Sequence, residues 1–444
     1  MTKRVTLLWI LAALSLGWIA GSRHEPIRAA QRELWPEGAL EALEDAPPLV
    51  AFTTVALGGF QGLAADLLWL RVSRLQDQGH YFEIVQLADW ITKLEPRFTE
   101  VWAYHAWNMS YNISVMFPDP ADRWRWVQHG IRLLRDEGLR YNPADPRLYR
   151  ELGWIYQHKI GRHWDDAHMT YKWELAQQMA PVLRNGRLEH EQMTTDAELR
   201  RRVQAEHGLD PDAMVEVDRA YGPLDWRAAD AHAIYWAWRG LQVAPPEGSL
   251  PNQRMIYQSL SHAFKQGRIV IDEQNTSLLT SPDLDLYPAV RRAYTRALEQ
   301  YEEAEPIRAS YANFLNNAVT LFFVYGRRDD ARKAFEELRE IAPDRVTGET
   351  MRDAVTANLL SSMEQVSPRN AAAIIEGFYF QAALYRGMGD RERAAALERL
   401  AQFLWQRAED RFGGQEATAM PPARQLRQRA IERARSLYAP LFRQ

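Results

Sequence analysis

"GHYFEIVQLADWITKLEPRFTEVW" (residues 79–102) and "GRRDDARKAFEELREIAP" (326–343) share one skeleton, a Gly followed 17 positions later by a Pro. In the first stretch Trp102 stands six residues beyond Pro96, and Tyr149 stands at the same distance beyond Pro143. Gly79 and Gly326 can take φ > 0 in a turn. Pro cannot continue a helix, so Pro96, Pro143, Pro181 and Pro343 read as helix ends. The Gly-to-Pro interval is then one helix with its bounding turns, and the aromatic residue six positions on is the first buried residue of the next unit. Strands are scarce. The long segments are rich in Ala, Leu, Glu, Arg and Gln and follow a helical period.

A longer period accompanies the helical one. "LYRELGWIY" (148–156) places Tyr149, Leu152, Gly153 and Tyr156 at the spacing W-x2-L-G-x2-Y, with Tyr in the Trp place. Ala331, Phe335 and Pro343 follow as A-x3-F and the closing Pro, and Gly389, Ala394 and Ala401 return in "GDRERAAALERLA" behind Tyr385. On these residues the chain resembles the tetratricopeptide repeat (TPR) family. The resemblance covers five segments, about 64–98, 99–145, 146–183, 312–345 and 375–408. The second carries an apparent insertion around "MFPDPADRWRW" (116–126), and the third is stretched near "IGRHWDDAH". Stacking breaks where Arg187 and Glu349 take the place six residues past Pro181 and Pro343.

The fold class expected is all-α, a solenoid of TPR-like helical hairpins with an N-terminal transmembrane anchor and a central insertion. The corresponding division is an anchor at 1–22, a linker at 23–48, TPR-like repeats at 49–183 and an insertion with an aromatic helix at 184–250. Further TPR-like helices at 251–412 and a linker with a basic capping helix at 413–444 complete it. Residues 184–224 read as polar and irregular. Residues 224–243, 252–274 and 286–304 read as helices, the last two joined through the turn-rich "NTSLLTSPDLD".

With 444 residues, 46% apolar and 25% charged, the composition is that of a folded chain. A net charge of −4 gives no global reason to expect nucleic acid. The absence of cysteine excludes thiolate zinc sites, iron–sulfur clusters, covalent c-type haem and cysteine nucleophiles. "MTKR" precedes Val5–Gly21, 17 residues without a charge. As a helix this run spans about 26 Å, a little short of the roughly 30 Å hydrocarbon layer. It reads as an uncleaved signal-anchor, with a cleaved signal and a buried helix as alternatives. Lys3 and Arg4 would hold its start in the cytoplasm and place the body outside. A second apolar run, Leu49–Leu70, contains Gln61, Asp66 and the glycines of "GGFQG", and reads as two shorter elements rather than a second span.

TPR arrays hold peptides on the concave face of their first helices. Carried over by position, that face comprises Glu100, Trp107, Ser110, Tyr111, Arg147, Arg150, Trp154, Gln157 and His158. Trp, Tyr and Arg are the residue types that dominate interface energies; packing against neighbouring helices is the competing role for the two Trp. The chaperone-binding form of the family has Asn where Trp107 and Trp154 fall, so chaperone tails are not the expected partner.

His158, His163, Asp165, Asp166 and His168 are acceptable metal ligands by type, but histidines five apart on a helix point about 140° apart. A metal-dependent hydrolase built there, with His232, is the weaker alternative, and no metal or other cofactor is expected. The C-terminal segment 422–444 is a basic amphipathic helix with an apolar stripe of Leu426, Ala430, Ala434, Leu437 and Tyr438. It suits a solenoid cap and, secondarily, a contact with anionic lipid. The function expected is a scaffold or adaptor for a protein partner, or an accessory subunit of a membrane enzyme or transporter.

Overall fold

The computed structural model of the chain describes residues 61–183, 185–245, 248–272, 277–301, 305–346, 348–361, 368–412, 420–438 and 442. The apolar run at 5–21 and the first part of the run at 49–70 lie outside them. Among the described residues no helix is long and apolar enough to cross a membrane. Among the described residues the chain is helical apart from one short hairpin of strands, and it divides into two compact units, Met1–Ile155 and Tyr156–Gln444.

In the first unit, α1 (Gln61–Asp77) and α2 (Tyr81–Leu94) form a hairpin around Val72, Leu75, Ile84, Leu87 and Ile91, all buried. Helix α3 (Thr99–Trp107) continues into a widened turn, Asn108–Ile113, closed by i→i+5 bonding. Helix α4 (Pro120–Arg132) packs on it and widens in turn over Leu133–Gly138. The segment read as an insertion at 116–126 is therefore the turn into α4 and its first half: Asp119 accepts from the Ala121 N–H as N-cap, and Pro120 takes N1. Helix α5 (Pro146–Trp154) starts the same way, with Asp145 as cap and Pro146 at N1. At Gly130 a Cβ would sit 2.2 Å from the Ser110 Oγ and 2.7 Å from the Ala106 carbonyl, so α4 can lie this close to α3 only with glycine there.

The second unit begins with α6 (His168–Met179), α7 (His190–Thr195), α8 (Ala197–His207) and α9 (Pro211–Tyr221). The expectation of irregular chain at 184–224 is thus corrected. Asp196 and Asp210 cap α8 and α9, Pro211 opens α9, and Met193, Val203, Met214 and Val217 are buried. Helices α10 (Ala229–Val243) and α11 (Leu250–Gln266) pair next. The helix expected to run to 274 stops at Gln266. Residues 268–272 form β1, paired antiparallel with β2 (277–281), so part of the turn-rich joint is a strand. The β-branched run Ile269-Val270-Ile271 behind Gly267 is the local cause.

Beyond the strands come α12 (Tyr287–Gln300), α13 (Glu305–Val324), α14 (Arg328–Ile341), α15 (Met351–Ser361), α16 (Pro368–Gly387), α17 (Arg391–Phe412) and α18 (Ala423–Leu437). Helices α13 and α14 form one hairpin, α16 and α17 another. Helix α18 lies on α16 with Leu426, Ala430 and Ala434 buried, so these stripe residues are covered by protein, while Arg427 pairs with Glu398. The Leu437 side chain lies outside the described residues.

The hairpin turns answer the Gly spacing. Gly79, Gly326 and Gly389 have φ of +74°, +79° and +82°. Behind each, the next residue's N–H returns to the carbonyl five back: His80 to Leu75 at 2.9 Å, Arg327 to Phe322 at 2.8 Å, Asp390 to Tyr385 at 2.9 Å. The glycine N–H itself returns to the carbonyl three back in all three turns. This is the Schellman motif, repeated three times. A Cβ at Gly79 or Gly389 would meet nothing within 4 Å, so the requirement there is conformational only. Gly79→Ala and Gly389→Ala are each expected to cost about 1–2 kcal/mol, read from urea unfolding; no loss at either would contradict this account of the turns.

The Pro spacing has a hydrogen-bond reason. Trp102, 2% exposed, donates its indole N–H to the Pro96 carbonyl at 2.8 Å, and the Tyr149 hydroxyl donates to the Pro143 carbonyl at 2.9 Å. The aromatic residue six positions on satisfies the carbonyl left at the preceding helix end. Of the other repeat residues, Leu152, Gly153 and Tyr156 are buried, as are Ala331, Phe335 and Ala394.

Candidate functional site

The nine residues carried over by position do not form one described surface. Seven lie in the first unit, while Gln157 and His158 lie in the second.

In the first unit, α3 presents Tyr104 and Trp107, and the widened turn after it presents Tyr111. Trp107 stacks on Tyr111 (5.8 Å, 20°) and lies 6.4 Å from Tyr104, which meets Trp69 edge-on at 5.1 Å. Phe98 stands 6.3 Å beyond Trp69. The rings form a continuous ladder from Phe98 through Trp69, Tyr104 and Trp107 to Tyr111, in which Trp107 is 38% exposed. Tyr104 is held by its hydroxyl, which donates to Gln76 at 2.8 Å. Burial, with Glu151 second, pushes the Tyr111 phenol far above its ordinary value, so it remains a neutral donor. Trp154 on α5 is also 38% exposed.

The charged members are engaged among themselves. Arg147 bonds to Glu100, to the Thr99 hydroxyl at 2.8 Å and to its own cap Asp145 at 3.0 Å. Burial raises the Glu100 carboxyl, but its own backbone N–H, Arg147 and Thr99 outweigh it and leave the group below the usual range. Arg150 pairs with Glu151 at 2.6 Å. Exposed pairs of this kind contribute about 0–1 kcal/mol, little enough for a partner's carboxylate to displace them.

Two of the expected residues are not on a surface. Ser110 is fully buried against the close approach of α4 at Gly130. Gln157 is 4% exposed and donates to the Ser259 hydroxyl at 2.8 Å and the Met255 carbonyl at 3.3 Å. Both sit in widened turns, Asn108–Ile113 and Ile155–Ile160. A widened turn adds a residue, and one residue rotates the face by about 100°. His158 stacks near Trp164 (6.3 Å), which is 73% exposed.

The His/Asp segment resolves into separate roles. Asp165 is buried and binds Lys159, the Tyr171 hydroxyl at 3.1 Å and the Ala167 N–H at 2.9 Å. His168 meets Lys172 at 3.0 Å, and His163 stacks on Trp164 at 5.5 Å. His232 is buried under Tyr156 (4.8 Å) and bonds the Trp226 carbonyl at 3.0 Å. Among the described residues no group of three or more His, Cys, Asp or Glu could hold a metal ion.

An exposed aromatic cluster of the first unit has no signal in the repeat pattern. Phe82, 49% exposed, meets Trp126 at 5.9 Å and Phe117 at 6.3 Å, beside exposed Val115 and Met116. Only "RWRW" (123–126) stands out as sequence. In the fold its two Trp part: Trp124 is buried and Trp126 joins the cluster.

No family model matches this chain, and no curated protein matches it.

Proposed function

We propose that the chain is a membrane-anchored scaffold of tetratricopeptide type that holds a segment of a protein partner against the aromatic ladder of α3. The three Schellman turns and the Pro carbonyls capped six residues on support the repeat reading. The partner reading is carried by one observation: Trp107, stacked in a ladder of rings, keeps 38% of its surface exposed. Large aromatic faces and Arg, here Trp107 with Arg147 and Arg150 on α5 of the same unit, are the residue types that dominate interface hot spots. An accessory subunit of a membrane enzyme or transporter would use the same surface. The anchor is the apolar run Val5–Gly21, with Lys3 and Arg4 retained in the cytoplasm and the body outside it.

The test is an impermeant cross-linker applied to intact cells that express the wild type or the Trp107→Ala/Trp154→Ala double variant. A protein captured by the wild type is expected to be lost, or at least tenfold depleted, in the variant, since hot-spot truncation costs about 2 kcal/mol or more. Helicity must match between the two. Equal capture by both would remove the aromatic face as the binding surface, and no capture at all would remove the extracytoplasmic scaffold.

A further inference from the structure

The second unit contains a polar cleft that the scaffold reading does not use. Helix α11 turns Gln258, Ser261, His262 and Lys265 to it, one face at i, i+3, i+4 and i+7. Helix α13 answers at the same spacing with Ser310, Asn313, Phe314 and Asn317, while Tyr294 lines it from α12 and Arg162 from the loop before α6. Tyr294 and Phe314 are buried; Gln258, Lys265 and Asn313 are exposed. The cavity volume is about 220 Å³, room for roughly seven waters at about 30 Å³ each. Drug-sized sites start near 300 Å³, so this one suits a small molecule.

Its charge is unbalanced. No carboxylate lines it, and among the described residues neither Arg162 nor Lys265 has an acidic partner within ion-pair distance. The Asp230 carboxylate is buried behind His262 and bonds its Nδ1 at 2.7 Å, which leaves Nε2 as the ring nitrogen for the cleft. Burial opposes ionisation of Asp230, but His262, then Arg162 and Lys172, outweigh it and hold the carboxyl below its usual range. That one carboxylate stands among Arg162, Lys172 and Lys265. Burial and the nearby Arg162 draw Lys172 down to about 8 against the opposing pull of Asp230, and they lower Lys265 in the same way. Cations crowded in this manner gain from an added anion.

We propose that this cleft binds a small hydroxylated molecule carrying one phosphate or carboxylate, the oxyanion held by Arg162 and Lys265 and the body by the amides and hydroxyls of α11 and α13. A guanidinium fork matches either oxyanion with two parallel bonds. The side chains of Gln258, Asn313, Asn317 and Ser310 can both donate to and accept from hydroxyl groups, and Tyr294 and Phe314 give the body an apolar floor. The site is independent of the partner face in the first unit, and neither proposal needs the other.

Isothermal titration of the full chain in detergent tests this with glycerol 3-phosphate, glycerate and uncharged glycerol as probes. Saturable binding of at least one anionic probe is expected, with none for glycerol. Arg162→Gln and Lys265→Gln should each weaken it roughly tenfold or more, the loss expected for a charged hydrogen bond. The tighter of the two anions identifies the oxyanion. Neither side chain is ion-paired among the described residues, so both variants should keep wild-type helicity, and Arg429→Gln on the exposed face of α18 should bind as wild type. Absence of saturable binding by both anions at 10-millimolar order, or binding unchanged in both variants, would overturn the site.

Discussion

Trp102→Ala is expected to destabilise the first unit by about 3–5 kcal/mol, the range for truncating a buried Trp. Trp102 is 2% exposed, stacks on Tyr141 at 5.9 Å and lies near Gly138, so removing it opens a cavity where α3 meets the end of α4. It also strands the Pro96 carbonyl, although Asn142 donates to the same oxygen at 2.8 Å and would keep it partly satisfied. Trp102→Phe separates the two contributions. It keeps most of the ring and loses the N–H, for an expected cost nearer 1–2 kcal/mol. Urea unfolding followed by far-ultraviolet circular dichroism measures both. If the two variants cost the same, the indole bond rather than packing carries the position; if neither costs more than about 1 kcal/mol, the Pro-to-Trp spacing is not structural.

The second large effect concerns acid. His105 on α3 is 2% exposed, and neither of its ring nitrogens has a partner among the described residues. Burial alone lowers it to about 4. The unfolded chain therefore binds a proton at this residue from about pH 6.5 downward, while the folded unit refuses it until about pH 4. Stability present above pH 6.5 is lost as pH falls through that window, by about 3 kcal/mol at its lower end. His232 in the second unit is lowered to about 3, chiefly by burial, and loses stability in the same direction over a wider window. His105→Leu removes both the titration and the unsatisfied nitrogens. It should leave the first unit no less stable at pH 7 and flatten its loss between pH 6.5 and 4, as read from urea midpoints across that range. A variant profile parallel to the wild type would contradict the assignment.

Much of the hairpin geometry was legible because its determinants are local. A left-handed residue after a helix is most easily Gly, and a helix stop is most easily Pro, so Gly79 to Pro96 and Gly326 to Pro343 could be read without knowing what packed where. Asp119-Pro120, Asp145-Pro146 and Asp210-Pro211 open α4, α5 and α9 with local cap-and-Pro starts that the repeat pattern does not use, so 116–126 reads as an insertion instead. In 184–224 the polar composition hides the helices, because α7, α8 and α9 are too short to show a clear apolar period. The strand at 268–272 is masked in the sequence because three β-branched residues, Ile269, Val270 and Ile271, follow the apolar period of α11 after only Gly267 and Arg268.

The candidate site was less legible for a geometric reason. Placing Ser110 and Gln157 on a shared face assumed uninterrupted α-helices, and a widened turn in each segment rotates the side chains beyond it. Trp107 precedes the first of these turns and remains exposed; Ser110 lies inside it and is buried. The cleft of the second unit has no sequence signal for another reason. Two polar helix faces are visible as sequence, but solvent and each other are equally good partners for them, and periodicity does not distinguish the two.

We propose that the ladder face of α3 contacts a protein partner. Placing p-benzoylphenylalanine at position 107, and in a control at exposed position 136, then irradiating intact membranes tests it most directly. A discrete adduct from position 107 that is absent from 136, and that disappears when Trp154→Ala is added, is expected. Irradiation at 107 that yields no adduct, or the same adducts as position 136, would contradict it.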